Sequence, residues 1–184
     1  MKLMLSIVAS ATLIGTTACM DQGMGGTTSG AGMASADMPS DMTPTRAMPY
    51  VAMAGASDQF EIQSSQLALQ KAASPAVREF AQMMIQHHQM TTQQVMAAAQ
   101  SSGLNPPPPQ LMPMQARMIA DLQGASGAEF DRVYTRQQVT AHQMALALHT
   151  TYARNGDTPS LKQVAATAQP IVQQHLERAR AMRS

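Results

Sequence analysis

The sequence predicts an all-α protein: an up-and-down four-helix bundle with a short extra helix between the second and third long helices. Three observations lead there. Apolar residues recur at spacings of three, four and seven in four long segments, as they do along the buried stripe of a helix. Proline, glycine and small polar residues punctuate the joins between those segments. No strand pattern and no internal repeat competes with the helical period.

The first 56 residues stand apart from that pattern. Lys2 supplies a positive start, Leu3–Ile14 an apolar stretch too short to span about 30 Å of hydrocarbon, and Gly15–Ala18 small residues, so residues 1–18 read as a signal peptide. Cys19 is the only cysteine, so the fold has no internal disulfide to rely on. Thr16-Thr17-Ala18-Cys19 resembles a bacterial lipobox, with threonine where that pattern prefers leucine. The resemblance implies a lipid on Cys19 that ties the protein to a membrane. Met20, in place of an acidic residue, resembles outer-membrane sorting and implies a lipoprotein on the periplasmic side of the envelope.

Residues 19–56 are rich in Gly, Ser, Thr, Ala, Met and Pro without a sustained apolar period and read as a flexible tether. Nine of the 18 methionines precede Gly55. Thioethers are soft ligands suited to Cu(I), but no tight Met-x-Met array gathers them.

The bundle is expected over residues 57–184. Ser57 or Asp58 caps the first helix, with Asp58-x-x-Glu61 at capping-box spacing, and Phe60, Ile62, Leu67, Ala68, Leu69 and Ala72 on its apolar side. Ser74-Pro75 opens the second helix, which runs to about Ser102 with Val77, Ala81, Met84, His88, Val95 and Ala99 as its stripe. Gly103 and the run Pro106–Pro109 end it. Leu111, Met114, Met118 and Leu122 form the short extra helix at one end of the bundle.

Ser126 and Glu129 make a capping box for the third long helix, whose apolar side carries Phe130, Val133, Tyr134, Ala141, Met144, Leu148 and Tyr152. Asp157 or Thr158 caps the fourth, and Pro159 opens it. Its stripe holds Leu161, Val164, Ala168, Ile171, Val172, His175 and Leu176, and Pro170 is expected to kink it.

Composition excludes several functions. A formal charge of +1, 12% charged residues and no tryptophan leave neither an electrostatic footprint nor a stacking platform for nucleic acid. Phosphate-binding glycine loops, Gly-x-Ser-x-Gly elbows and Ser-x-x-Lys pairs are missing from the sequence. A ferritin-type di-iron centre needs Glu-x-x-His pairs, and the chain has none.

Histidines carry what chemistry remains. Glu61, His88, His142 and His175 fall on four different helices, and a bundle core can collect such side chains into a site for a transition metal ion such as Zn, Cu or Fe. His142 points inward only if its helix is buried broadly. The competing reading is that each histidine is neutral, buried and hydrogen-bonded to a neighbour. His87 and His88 diverge by about 100° on a helix and cannot chelate one ion together. His87 with Met83 or Met90, one turn away, is a second candidate, a surface copper site. The leading expectation is a non-enzymatic binding or stress-related role in the envelope with an unidentified protein partner; metal binding at the four core residues is the alternative.

Three blocks match one family in order: FEIQSSQLALQKAASPAVREFAQMMIQHH, GAEFDRVYTRQQVTAHQ and QPIVQQHLERA. Over about Ser57–Met182 the chain resembles the domain of unknown function family 4142, exported bacterial proteins with a ferritin-like helical bundle. The resemblance places the family's histidines on His88, His142 and His175 and its first-helix acidic position on Glu61. Its usual Asp-His becomes His87-His88 here, which is similar to the His-His motif of family 305, a bundle group associated with copper.

Overall fold

The computed structural model describes residues 44–183. The leader of residues 1–18, Cys19 and the stretch 19–43 lie outside the described residues. Five helices follow one another: α1 (Ala47–Lys71), α2 (Pro75–Ser101), α3 (Pro113–Gly124), α4 (Gly127–Asn155) and α5 (Pro159–Ala181). The four long ones form the bundle, in the order α1, α2, α5, α4 around its axis, and α3 lies against α1 and α4. No helix among the described residues is long and apolar enough to cross a membrane.

The first helix corrects the expected boundary at residue 57. It starts at Ala47, so Asp58 sits in the helix interior and caps nothing. Ala47, Tyr50, Val51 and Ala54 already have helical spacing and are buried with Val95, Ala99, Leu148, Tyr152 and Leu161 in one apolar cluster. The two alanines among them and the prolines and methionines around them disguise that period. Leu69, expected on the apolar side, is 43% exposed, while Ser64 and Ser65 are buried. The inward face of α1 therefore mixes the apolar Tyr50, Val51 and Phe60 with the polar Asp58, Glu61, Ser64 and Ser65.

Helix ends are closed across the bundle more than by their own first residues. Ser74, Ser126 and Thr158 occupy the N-cap positions as expected but make no side-chain cap bond. At α2 the Asp131 carboxylate, reaching from α4, accepts from the backbone N–H groups of Ser74 (2.8 Å) and Ala73 (3.2 Å). Glu129 pairs with Arg132 instead of reaching back to Ser126. Lys71 donates to the carbonyls of Gln123 and Ala125, closing the end of α3. Gly103 ends α2 with φ +76°, and the N–H of Leu104 bonds the Ala99 carbonyl at 3.0 Å, as a Schellman turn requires. Helix α5 continues through Pro170, which faces solvent together with Ala166, where water can satisfy the freed carbonyl. Ile171, placed on the stripe by its spacing, is 40% exposed beside it.

Two apolar clusters fill the bundle. One holds Phe60, Phe80, Met84, Leu122, Phe130, Tyr134 and Leu176; the other holds Tyr50, Val51, Val95, Leu148, Tyr152 and Leu161. Between them on the four long helices lie Asp58, Glu61, His88, His142 and His175, all buried. A polar layer thus crosses the dry middle of the bundle.

At its edge, His149 Nδ1 lies 3.0 Å from the Tyr50 hydroxyl, and Tyr50 stacks on Tyr152 with ring centroids 3.8 Å apart. Burial, with the charge of His88 behind it, pushes the His149 pKa from 6.5 down to about 4. The folded protein holds this ring neutral while the unfolded chain protonates it below pH 6.5, so its contribution is complete above that pH and declines as pH falls towards 4.

Two measurements check this packing. In chelator-treated protein, urea unfolding at pH 7 and pH 4 should show the wild type losing about 3 kcal/mol more than His149→Gln over that interval; parallel losses would refute the role of His149. A Cβ on Gly55 would meet Pro109 side-chain atoms at 2.9 Å, whereas one on Gly124 would meet nothing within 4 Å. Gly55→Ala should therefore destabilise by about 1–3 kcal/mol and Gly124→Ala should not, read from the same unfolding curves.

Candidate metal centre

The polar layer arises from helical spacing on α1. Tyr50, Ala54, Asp58, Glu61 and Ser65 are three or four residues apart and share the inward face. Each polar member meets a partner on a neighbouring helix: Tyr50 meets His149, Asp58 meets His88, Glu61 approaches His142, and Ser65 meets the Tyr134 hydroxyl at 2.8 Å. His88 lies on the buried stripe of α2 and His175 on that of α5, as their spacing predicts. His142 is only 1% exposed, because α4 is buried broadly enough to include Thr135, Gln138, Val139 and His149 as well as its main apolar side.

Each of the three central imidazoles has one nitrogen committed and one left over. His88 Nδ1 is 2.7 Å from Asp58 Oδ1, while Asp58 Oδ2 accepts from the Thr92 hydroxyl at 2.9 Å. His142 Nδ1 is 2.8 Å from the Gln138 carbonyl oxygen, which can only accept, so Nδ1 carries the proton and Nε2 the lone pair. His175 Nε2 is 2.8 Å from His87 Nδ1. His88 Nε2, His142 Nε2 and His175 Nδ1 are buried without a partner, and so is Glu61 Oε2. One potential ligand nitrogen from each of the three rings lies within 4.8 Å of the others, and the ring centroids are 5.3 to 5.8 Å apart.

Electrostatics favours the ligating form at His142 and His175 and the protonated form at His88 and Glu61. Burial, then the charge of His88, pushes His142 down to about 3. Burial likewise drives His175 far below the usual histidine range. Both rings are therefore neutral at pH 7, the form that offers a lone pair to a metal. At His88 burial opposes charge, but the hydrogen bond and charge of Asp58, with Glu61 beyond, outweigh it and raise the pKa. Burial lifts Glu61 to about 7, against the pull of His88.

A purely structural role fits these contacts poorly. Leaving a buried polar atom unpaired costs about 1–3 kcal/mol, and a core built only for packing would not collect three unpartnered ring nitrogens and an unpartnered carboxylate oxygen. The group close enough to share one ion is the three histidines; Glu61 stands outside it, its Oε1 3.7 Å from His142 Nδ1, the nitrogen bonded to the Gln138 carbonyl. The committed nitrogens repeat the pattern by which metal-binding histidines are held, each bonded through its other nitrogen to a carboxylate, a carbonyl or another acceptor.

The second candidate is not gathered in the same way. His87 is half-buried and turned to His175; the Met83 sulfur lies 2.9 Å from an Arg178 guanidinium nitrogen; and Met90 is 54% exposed. Asp58, Thr92 and the Gln138 carbonyl are parts of the site that the sequence did not disclose. For Asp58 the signal was its spacing of three from Glu61, visible once α1 is traced back to Ala47.

Solved structures with this fold include CopM in its Cu(II)-bound form, 20% identical over 75% of this chain and 95% of that one, with a TM-score of 0.65. CopM in the Cu(I)-bound form is 21% identical over 73% and 93%, with a TM-score of 0.62, and in the apo form 20% identical over 74% and 94%, with a TM-score of 0.61. At such identity the likeness is one of fold. No curated protein matches the chain. The profile of the family described as Domain of unknown function (DUF4142) matches residues 31–182, and the chain belongs to that family.

Proposed function

We propose that this protein is an exported, lipid-anchored metal-binding module that holds one transition metal ion, copper in the first place, through His88, His142 and His175. The observation that carries the reading is a group of three buried histidines that each bring a ring nitrogen within 4.8 Å of the others and each keep one ring nitrogen without a partner. Three imidazoles suit borderline divalent ions, Cu(II) and Zn(II), better than ions that demand sulfur. The Cu(II)- and Cu(I)-bound forms of CopM, on the same fold, add support for copper over zinc.

Burial argues for holding an ion over turning over a substrate. The three histidines are 1–5% exposed, so anything larger than an ion must open the bundle to reach them. Asp58 then orients His88, the Gln138 carbonyl orients His142, and the two flanking apolar clusters keep bulk water away from the ion. The role is non-enzymatic, in metal handling within the envelope. The leader, Cys19 and the tether support a location outside the cytoplasm, on the periplasmic side of the outer membrane.

Two experiments test these statements. Protein purified without a His tag and stripped of metal should bind one Cu(II) per chain in a calorimetric titration, with competition from Zn(II). Removing a ligand by His142→Ala or His88→Ala should weaken binding at least about 10–100-fold. No stoichiometric uptake, or uptake indifferent to both substitutions, would overturn the metal reading. Cys19→Ser should move the protein from the membrane fraction to the soluble fraction; an unchanged distribution would overturn the anchor.

A further inference from the structure

His87 is the half-buried imidazole at the rim of the polar layer. Its helical position turns it away from His88 on the same helix and towards α5, where its Nδ1 comes within 2.8 Å of His175 Nε2 and its ring lies 5.1 Å from that of His175, 22° from parallel. The proton between the two nitrogens has two places to sit. On His87 Nδ1, it would leave the neutral His175 carrying its own proton on Nδ1, a buried donor with no acceptor. On His175 Nε2, it leaves a bare lone pair on Nδ1, and unpaired buried acceptors are the more tolerable of the two. The second arrangement is also the one in which His175 faces the other two histidines ready to ligate.

We infer that His87 is a positioning residue for the metal site: by accepting the Nε2–H of His175 it fixes which nitrogen of that ring faces the ion, and its place at the rim makes it the latch on ion release. This rests on the metal reading of the triad. It assigns His87 to the buried site as a support for His175, in place of a separate surface site with Met83 and Met90. Asp58 supports His88 through a carboxylate and Gln138 supports His142 through a carbonyl; His87 is the corresponding acceptor for the third ligand, and of the three supports it is the one drawn from the rim.

The test uses the full chain and Cu(II), with affinity measured by chelator competition and release followed after mixing with excess chelator. His87→Leu fills the same space but cannot accept a hydrogen bond; His87→Asn offers an amide oxygen that can. Leu should weaken Cu(II) binding by about 10–100-fold, chiefly through faster release, and Asn should recover most of the loss. Far-UV circular dichroism of the metal-free proteins should match across the set, while the melting point of metal-free His87→Leu should fall and that of His87→Asn should recover, because the buried Nε2–H of His175 loses its acceptor only in the first. Leu binding as tightly as the wild type, or Asn as weakly as Leu, would overturn the inference while leaving the triad standing. A wild type that takes up no Cu(II) would overturn the metal reading and this inference with it.

Discussion

A carboxylate in the dry centre of a helical bundle is the constraint from which the rest follows. Asp58 is 3% exposed, and burial of that kind is tolerated only where charge and lone pairs are met. His88 and Thr92 meet them, at 2.7 and 2.9 Å. That pairing ties α1 to α2 and leaves the opposite nitrogen of His88 buried without a partner. Glu61, one turn further along α1, then faces α4 at the level of His142.

The two apolar clusters on either side give the polar layer its properties. They supply the hydrophobic stabilisation that lets α1 carry Asp58, Glu61, Ser64 and Ser65 on an inward face where an ordinary bundle would place leucines. They also lower the local dielectric, which keeps His142 and His175 neutral and leaves their lone pairs bare. The same desolvation that makes the layer costly without an ion makes it a strong set of ligands with one.

Much of the fold was legible because α2, α4 and α5 obey the period of a buried stripe and because Pro75, Gly103 and Pro159 mark their joins with little ambiguity. The start of α1 was not, since Ala47, Tyr50, Val51 and Ala54 form a weak apolar signal amid Met, Pro and Gly, and Asp58-x-x-Glu61 imitates a capping box. Misplacing that boundary turned an interior aspartate into a cap. Three of the ligand candidates were visible as histidines on different helices, yet only packing decides whether they converge: His142 was off the centre of its stripe, and the breadth of α4 burial comes from contacts with α1 and α5. The His87 to His175 contact joins residues 88 positions apart and follows from helix rotation, which periodicity fixes only loosely.

X-ray absorption at the zinc edge of protein loaded with one Zn(II) per chain addresses the central claim most directly. Convergence of His88, His142 and His175 on one ion predicts a first shell of nitrogen and oxygen at about 2.0–2.1 Å with the outer-shell scattering of three imidazole rings. A shell containing sulfur at about 2.3 Å, or one with fewer than two imidazoles, would contradict it.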